Sequence, residues 1–295
     1  MTAPSITNRE GRAPFDVHWS WASGGLEPGV TAVIRARNEA RNLPWVLPPL
    51  LSVVDRLVLV DNLSDDDTAG VARRCADESG AGTKLEVQPY PFEVSRCGEE
   101  HLHTPGDSVH SLTHFYNWSF SHSRTRYTMK WDGDMVLTPE GVTVLSDALW
   151  RVEATDSVIL LQHQPLYVES ERVAYLDTKL RFQEPWIYPT GPEFVYLKGF
   201  DWEVRSQSSR VQKLALPAGL CFELKWLDTD EFDHWTDLEA IHPNRSRRKT
   251  REYEVFTALN EQRFDDLDHV HRIEAPPGVH VIDHVAHTWL PTRPR

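Results

Sequence analysis

Cysteine is scarce: 295 residues contain only Cys75, Cys97 and Cys221. An odd set with no paired metal-ligand spacing argues against a disulfide framework or a thiolate zinc site and predicts reduced, structural thiols. Positive charge is also short, with 31 Lys and Arg against 44 Asp and Glu and a formal net charge of -13. A general nucleic-acid binder needs a basic surface to release counterions, so no nucleic-acid partner is expected. Apolar residues never run together for the roughly 18 positions that a membrane span requires. The opening MTAPSITNREGRAPFDVHWSW likewise lacks a signal-peptide apolar core. A cytoplasmic location without a membrane span is the expectation. What remains is an ordinary globular composition, 40% hydrophobic and 25% charged, with material for a large core.

Along the chain, residues 1–28 are rich in Pro, Gly and polar groups and read as an arm over the body, with Trp19 and Trp21 as anchors. Thr31 to Arg35 and Arg56 to Asp61 are apolar runs suited to buried strands. Between them Asn38 to Leu51 predicts a helix, with Pro44 in its first turn and Pro48 and Pro49 expected to shorten or kink it. Ser64-Asp-Asp-Asp-Thr68 supplies caps for a helix through Ala76, and Thr83 to Gln88 reads as a third strand. Alternating strands and helices predict a mostly parallel, Rossmann-like α/β sheet with helices on both faces. Ligands on such sheets gather at the carboxyl ends of the strands, where Arg35 and Asp61 fall. A helix over Ser108 to Ser123 and a strand over Tyr127 to Trp131 follow, then a helix over Pro139 to Leu149. The second half shows strands near Ser157 to Gln162 and Phe194 to Lys198 and a helix near Arg251 to Gln262.

The most informative short motif is Lys130-Trp-Asp132-Gly-Asp134-Met-Val, two carboxylates one residue apart just after a predicted strand. Mg²⁺ and Mn²⁺ prefer oxygen ligands and keep positions open for substrate phosphates, so this pair suits a metal-held diphosphate. Standing alone it is weak evidence and more often a loop of solvated acids. Its setting is more specific. Thr31-Ala-Val-Ile-Arg-Ala-Arg-Asn-Glu-Ala-Arg-Asn-Leu-Pro44, then Leu57-Val-Leu-Val-Asp-Asn-Leu-Ser-Asp-Asp-Asp-Thr68, then Asn117 before Asp132-Gly-Asp134, closely resembles glycosyltransferase family 2. The resemblance covers about residues 29–150 and fades beyond.

That resemblance implies a GT-A fold, in which a nucleotide-sugar-binding half (29–150) merges with an acceptor-binding half (151–295) in one compact domain. It implies that the loop from Arg35 through Arg37 to Glu39 touches the nucleotide and that Asp61 contacts the base. Asp132 would face the ribose or the metal, and Asp134 would be the direct ligand of Mn²⁺ or Mg²⁺. Some members complete the metal shell with a late histidine, and Val281-Ile-Asp-His284-Val-Ala-His287 offers His287 ahead of His284. Two positions depart from the family pattern: Leu63 stands where a small residue is usual, and Ala36-Arg37 replaces the commoner Tyr.

Inverting transfer needs a carboxylate base near the sugar carbon. Trp226-Leu-Asp228-Thr-Asp230-Glu-Phe-Asp233-His-Trp235 offers several, and the resemblance, which implies a base about this far after the D-x-D, favours Asp228 or Asp230, with Glu223 a further base or ligand. Capping and first-turn acids are the bland alternative for all of them. Asn244 to Arg251 is the one dense basic run and reads as a cover over the diphosphate, a contact for an acidic carrier or a solvated face. The leading expectation is thus a metal-dependent glycosyltransferase (hexosyl or N-acetylhexosaminyl transfer). It would use a nucleotide-sugar, UDP-linked as first choice, and a small-molecule, glycan or carrier-bound acceptor. Trp131-Asp-Gly-Asp-Met-Val-Leu137 also fits the haloacid dehalogenase pattern, which would make Asp132 a phosphatase nucleophile. A non-catalytic nucleotide-sugar-binding protein is the third reading.

Overall fold

The computed structural model describes residues 5–152, 155–179, 183–207, 211–233, 243–264 and 267–289. The chain alternates strand and helix at first: β1 (Glu27–Ala36), α1 (Leu43–Val53), β2 (Arg56–Asp61), α2 (Thr68–Glu78) and β3 (Leu85–Pro89). After α3 (Glu99–His103) and α4 (Leu112–Ser121), β4 (Thr125–Asp132) returns beside β1. The spatial order is β3-β2-β1-β4, every pair parallel.

Alternation along the two central strands separates the layers. Ala32, Ile34, Leu57 and Leu59 belong to a core shared with α1, α2 and α5 (Pro139–Val152). Val33, Val58 and Val60 point the other way, into a second core with Phe115, Trp118 and Phe120 of α4. Trp19 joins that second core, its ring stacked on Trp21. Helices therefore cover both faces, which is why these strands are apolar on both sides. Thr138 caps α5 by accepting from the Gly141 amide, with Pro139 at the first helical position.

Beyond β4 the sheet becomes mixed. β5 (Met135–Leu137), β6 (Val158–Val168), β7 (Val173–Asp177), β8 (Gln183–Pro189), β9 (Tyr196–Lys198), β10 (Glu203–Arg205), β11 (Lys213–Ala215) and β12 (Cys221–Trp226) follow. Then come α6 (Pro243–Asn260), β13 (Val270–Glu274) and α7 (Val281–Thr288). β8 pairs antiparallel with both β4 and β6, so one sheet runs through both halves. β12 lies parallel to β6 and antiparallel to β5, which puts it directly behind the Asp132-Gly-Asp134 turn. The β9–β10 hairpin stands apart and is tied to α4.

Three elements differ from expectation. Helix α1 starts at Leu43, five residues after the expected Asn38, and runs through Pro48 and Pro49 to Val53, two residues past the expected Leu51. Its buried Leu43, Val46, Leu47, Leu50 and Leu51 stabilise it by about 1.5–3 kcal/mol each, enough to outweigh the missing amide bonds. Strand β6 continues from Gln162 through His163, Gln164 and Pro165 to Val168, because β12 and β7 pair along its second half. Helix α6 starts eight residues before the expected Arg251 and takes the basic run into itself.

Candidate active site

The parallel register brings separated motifs to one edge. Arg35 lies opposite Asp132, and Ala36 opposite Asp61, so the last residues of β1, β2 and β4 line up at the carboxyl end of the sheet. The loops leaving β1 and β2 are stitched together. The Asn38 amide donates to Ser64 Oγ (2.9 Å) and the Asp65 amide to Asn38 Oδ1 (2.7 Å). The Glu39 amide donates to Thr68 Oγ1 (2.8 Å) and the Ala40 amide to Asp66 Oδ2 (3.0 Å). Asn38 and Leu63 both hold left-handed backbone, at φ of 60° and 56°. A Cβ makes that conformation unfavourable, which accounts for the family's small residue at the place Leu63 fills. Asp61 accepts from the Ser64 amide (3.2 Å), and buried Asn62 donates to the carbonyls of Tyr90 and Phe92.

Arg35 turns inward. Its guanidinium stacks 3.7 Å from the Tyr116 ring and donates through Nη2 to Asp132 Oδ1 (2.9 Å). Lys130 Nζ takes the other Asp132 oxygen at 3.1 Å. Burial would raise the Asp132 carboxyl, but Lys130 and Arg35 outweigh it and hold the group below the usual carboxylate range. Arg37 instead reaches outward to Glu93 (2.7 Å). Glu39 lies against the D-x-D turn, where a methyl group on Gly133 would stand 2.7 Å from Glu39 Cγ. Burial pushes the Glu39 carboxyl up to about 7, opposed by the Asn42 amide and Lys225 and reinforced by Glu231 and Asp132.

Asp134 meets a residue that sequence reasoning passed over. Lys225 of β12, its side chain 6% exposed, is 3.2 Å from Asp134 Oδ2, 2.7 Å from Glu223 Oε1 and 3.8 Å from Glu231 Oε2. Burial works against the ammonium, yet Glu223, Asp134 and Glu231 hold its affinity for the proton well above normal. Burial also drives the Asp134 carboxyl well above its usual range against the pull of Lys225. Glu223 goes the other way, because Lys225, His163 and Arg248 overcome its desolvation. Lys225 thus faces Glu39, Asp134, Glu223 and Glu231, with Arg248 sharing Glu223. The signal in the sequence was Glu223-Leu-Lys225, two charges on one face of an otherwise apolar strand.

Three members of the basic run, Arg248, Lys249 and Arg251, are likewise engaged inside the structure, while Arg247 is exposed. Arg248 pairs with Glu223, Glu184 and Glu252, Lys249 with Glu252, and Arg251 with Asp177 and Asp268. Asp228 is exposed at the rim, tied to Arg41 (2.7 Å), whose guanidinium stacks 3.3 Å from the Trp226 ring. Asp230 accepts from the Phe232 amide (3.0 Å) in a tight turn. His234 and Trp235 lie outside the described residues. His287 is exposed on α7 and its Nδ1 lies against the Asp283 carbonyl.

Among the described residues no three His, Cys, Asp or Glu side chains group as a complete metal shell. The donor set nevertheless suits Mn²⁺ or Mg²⁺ of the kind that takes part of its shell from a substrate phosphate. Asp134 and Glu223 both address the point held by the Lys225 ammonium, so the pair already holds a positive charge between them.

A four-stranded parallel sheet with acids at its carboxyl edge, continued by a mixed second half, is the GT-A class of architecture that the family-2 resemblance implies. No family model matches the chain, and no curated protein matches it. Solved structures do. S. aureus TarS, residues 1–349, in complex with UDP, is 12% identical over 78% of this chain and 65% of that one, with a TM-score of 0.43. Glucosyl-3-phosphoglycerate synthase from Mycobacterium tuberculosis, in complex with Mn²⁺, UDP and phosphoglyceric acid, is 18% identical over 48% of this chain and 43% of that one, with a TM-score of 0.27. The chain therefore spans less than two thirds of the length of either. Among the described residues no helix is long and apolar enough to cross a membrane.

Proposed function

We propose that this chain is a glycosyltransferase that moves a sugar from a nucleotide-sugar, UDP-linked as first choice, to an acceptor hydroxyl or amine with inversion. The observation that carries the reading is the meeting of three distant motifs at one sheet edge: Arg35 to Glu39, Asp61, and Asp132 to Asp134. In this reading Asp61 recognises the base, while Arg37 and Glu39 border the nucleotide. Arg35 keeps Asp132 charged and aimed at the ribose or the metal. A bound Mn²⁺ or Mg²⁺ would supply stabilisation of charge on the departing diphosphate. Asp228 is the better placed of the two base candidates, since Arg41 holds it beside the Glu39 to Asn42 loop whereas Asp230 closes its own turn. The acceptor would be a small molecule, a glycan or a carrier-bound group.

Thermal-shift titration with UDP, GDP and dTDP, each with and without Mn²⁺, tests this beside an Asp61→Ala variant. A ligand at a hundred times its dissociation constant stabilises by about 2.7 kcal/mol, so one nucleotide should raise the melting temperature clearly, and less in the variant. No response to any nucleotide, with phosphate released from phosphomonoesters, would replace the proposal by a phosphatase using Asp132. Nucleotide-sugar binding with neither transfer nor slow hydrolysis would leave a binding protein.

A further inference from the structure

We propose that the divalent cation of this site is held by Asp134 and Glu223, that Lys225 is its stand-in in the metal-free chain, and that His287 takes no part. The inference rests on the nucleotide-sugar reading in one respect only: a diphosphate supplies the remaining ligands.

The geometry begins with strand pairing. Glu223 lies opposite Met135 in the β12–β5 ladder, and the Leu224 amide donates to the Asp134 carbonyl (2.8 Å), so the D-x-D turn is pinned against β12. Glu223 and Lys225, two residues apart, share the strand face turned towards it. Their side chains and that of Asp134 are 11%, 6% and 17% exposed. Both carboxylates address a single point, where the Lys225 ammonium sits 2.7 Å from Glu223 Oε1 and 3.2 Å from Asp134 Oδ2.

Glu223 is also oriented as a ligand would be. Its Oε2 is held by His163 Nε2 (3.2 Å) and Arg248 Nη2 (3.0 Å), which leaves Oε1 turned to the shared point. Outer partners of this sort fix ligand direction at metal sites. Lys225 has somewhere to go, because Glu231 Oε2 lies 3.8 Å from its nitrogen. Two carboxylates are also the protein share that Mg²⁺-type sites commonly use beside phosphates and water.

The test is Mn²⁺ binding followed by electron paramagnetic resonance, with the metal alone and then with UDP. Glu223→Gln should weaken Mn²⁺ at least tenfold, Lys225→Met should tighten it several-fold, and His287→Ala should leave it within twofold. Circular dichroism of each variant checks folding. The wild-type spectrum needs no variant: no imidazole nitrogen coupling to bound Mn²⁺ is expected. A histidine coupling, undiminished affinity in folded Glu223→Gln, or UDP binding without any Mn²⁺ uptake would overturn the assignment; the last would leave the transferase reading standing. Mn²⁺ held through Glu223 but indifferent to every nucleotide would uphold the site and remove the donor.

Discussion

Glu39→Gln offers a direct measure of how much strain the charged site places on the fold. In the folded chain burial lifts the Glu39 carboxyl from 4.5 to about 7. The native state therefore keeps its proton where the unfolded chain has already lost it. Stability associated with this group is complete below pH 4.5 and declines as pH rises to about 7. At roughly 1.4 kcal/mol per unit the loss is about 3 kcal/mol, fully developed by pH 8. Gln keeps the shape and can still accept from Asn42 Nδ2, now 2.7 Å from Glu39 Oε2, but it cannot ionise. Reversible urea unfolding, followed by tryptophan fluorescence, should show wild type and variant alike near pH 4.5 and the variant about 3 kcal/mol more stable at pH 8. A stability difference that stays flat between those pH values would refute the placement of Glu39 among Asp132, Glu231 and the Gly133 turn.

Removing Arg248 should act in the opposite sense. Arg248→Met leaves Glu223, Glu184 and Glu252 without their shared cation and should cost about 3–5 kcal/mol by chemical denaturation. In α4, buried Asn117 accepts from the Tyr196 amide (2.8 Å) and donates to the Tyr196 carbonyl (2.9 Å), as a neighbouring strand would. Asn117→Ala should destabilise by about 2–3 kcal/mol and expose the β9–β10 hairpin to proteases, read by limited proteolysis at sites between residues 197 and 205.

The first half, residues 29–150, was readable because its signals are local. Arg56 to Asp61 is a strand with the bounds its apolar run implied, and Asp132 ends β4 where the D-x-D pattern put it. The bounds of α1 were less readable, since local propensity carries no knowledge of the five apolar side chains buried in a common core that carry the helix past Pro48 and Pro49. Beyond residue 150 the informative contacts join residues far apart in the chain. Lys225 reaches Asp134 across 91 positions, and Arg248 reaches Glu184 across 64. Periodicity cannot report such partners. It therefore left Lys225 unnoticed and left the basic run open to three readings, whereas Arg248, Lys249 and Arg251 serve as counter-ions to acids elsewhere in the fold. Asn117 was noted only as a motif member, with no hint that it substitutes for a strand edge.

The stitching between the loops after β1 and β2 bears on how donor preference could be changed. Four backbone amides cross between residues 38–40 and 64–68, each bond contributing on the order of 1 kcal/mol. Transplanting either loop alone from a protein with another nucleotide preference would strand amides and hydroxyls on the loop left behind. The smallest exchangeable cassette is the pair, residues 37–40 together with 61–68, left-handed positions 38 and 63 included. Under the proposed transferase reading donor choice would be a two-segment trait, and a chimera that moves both segments should keep its melting temperature where single-segment chimeras do not.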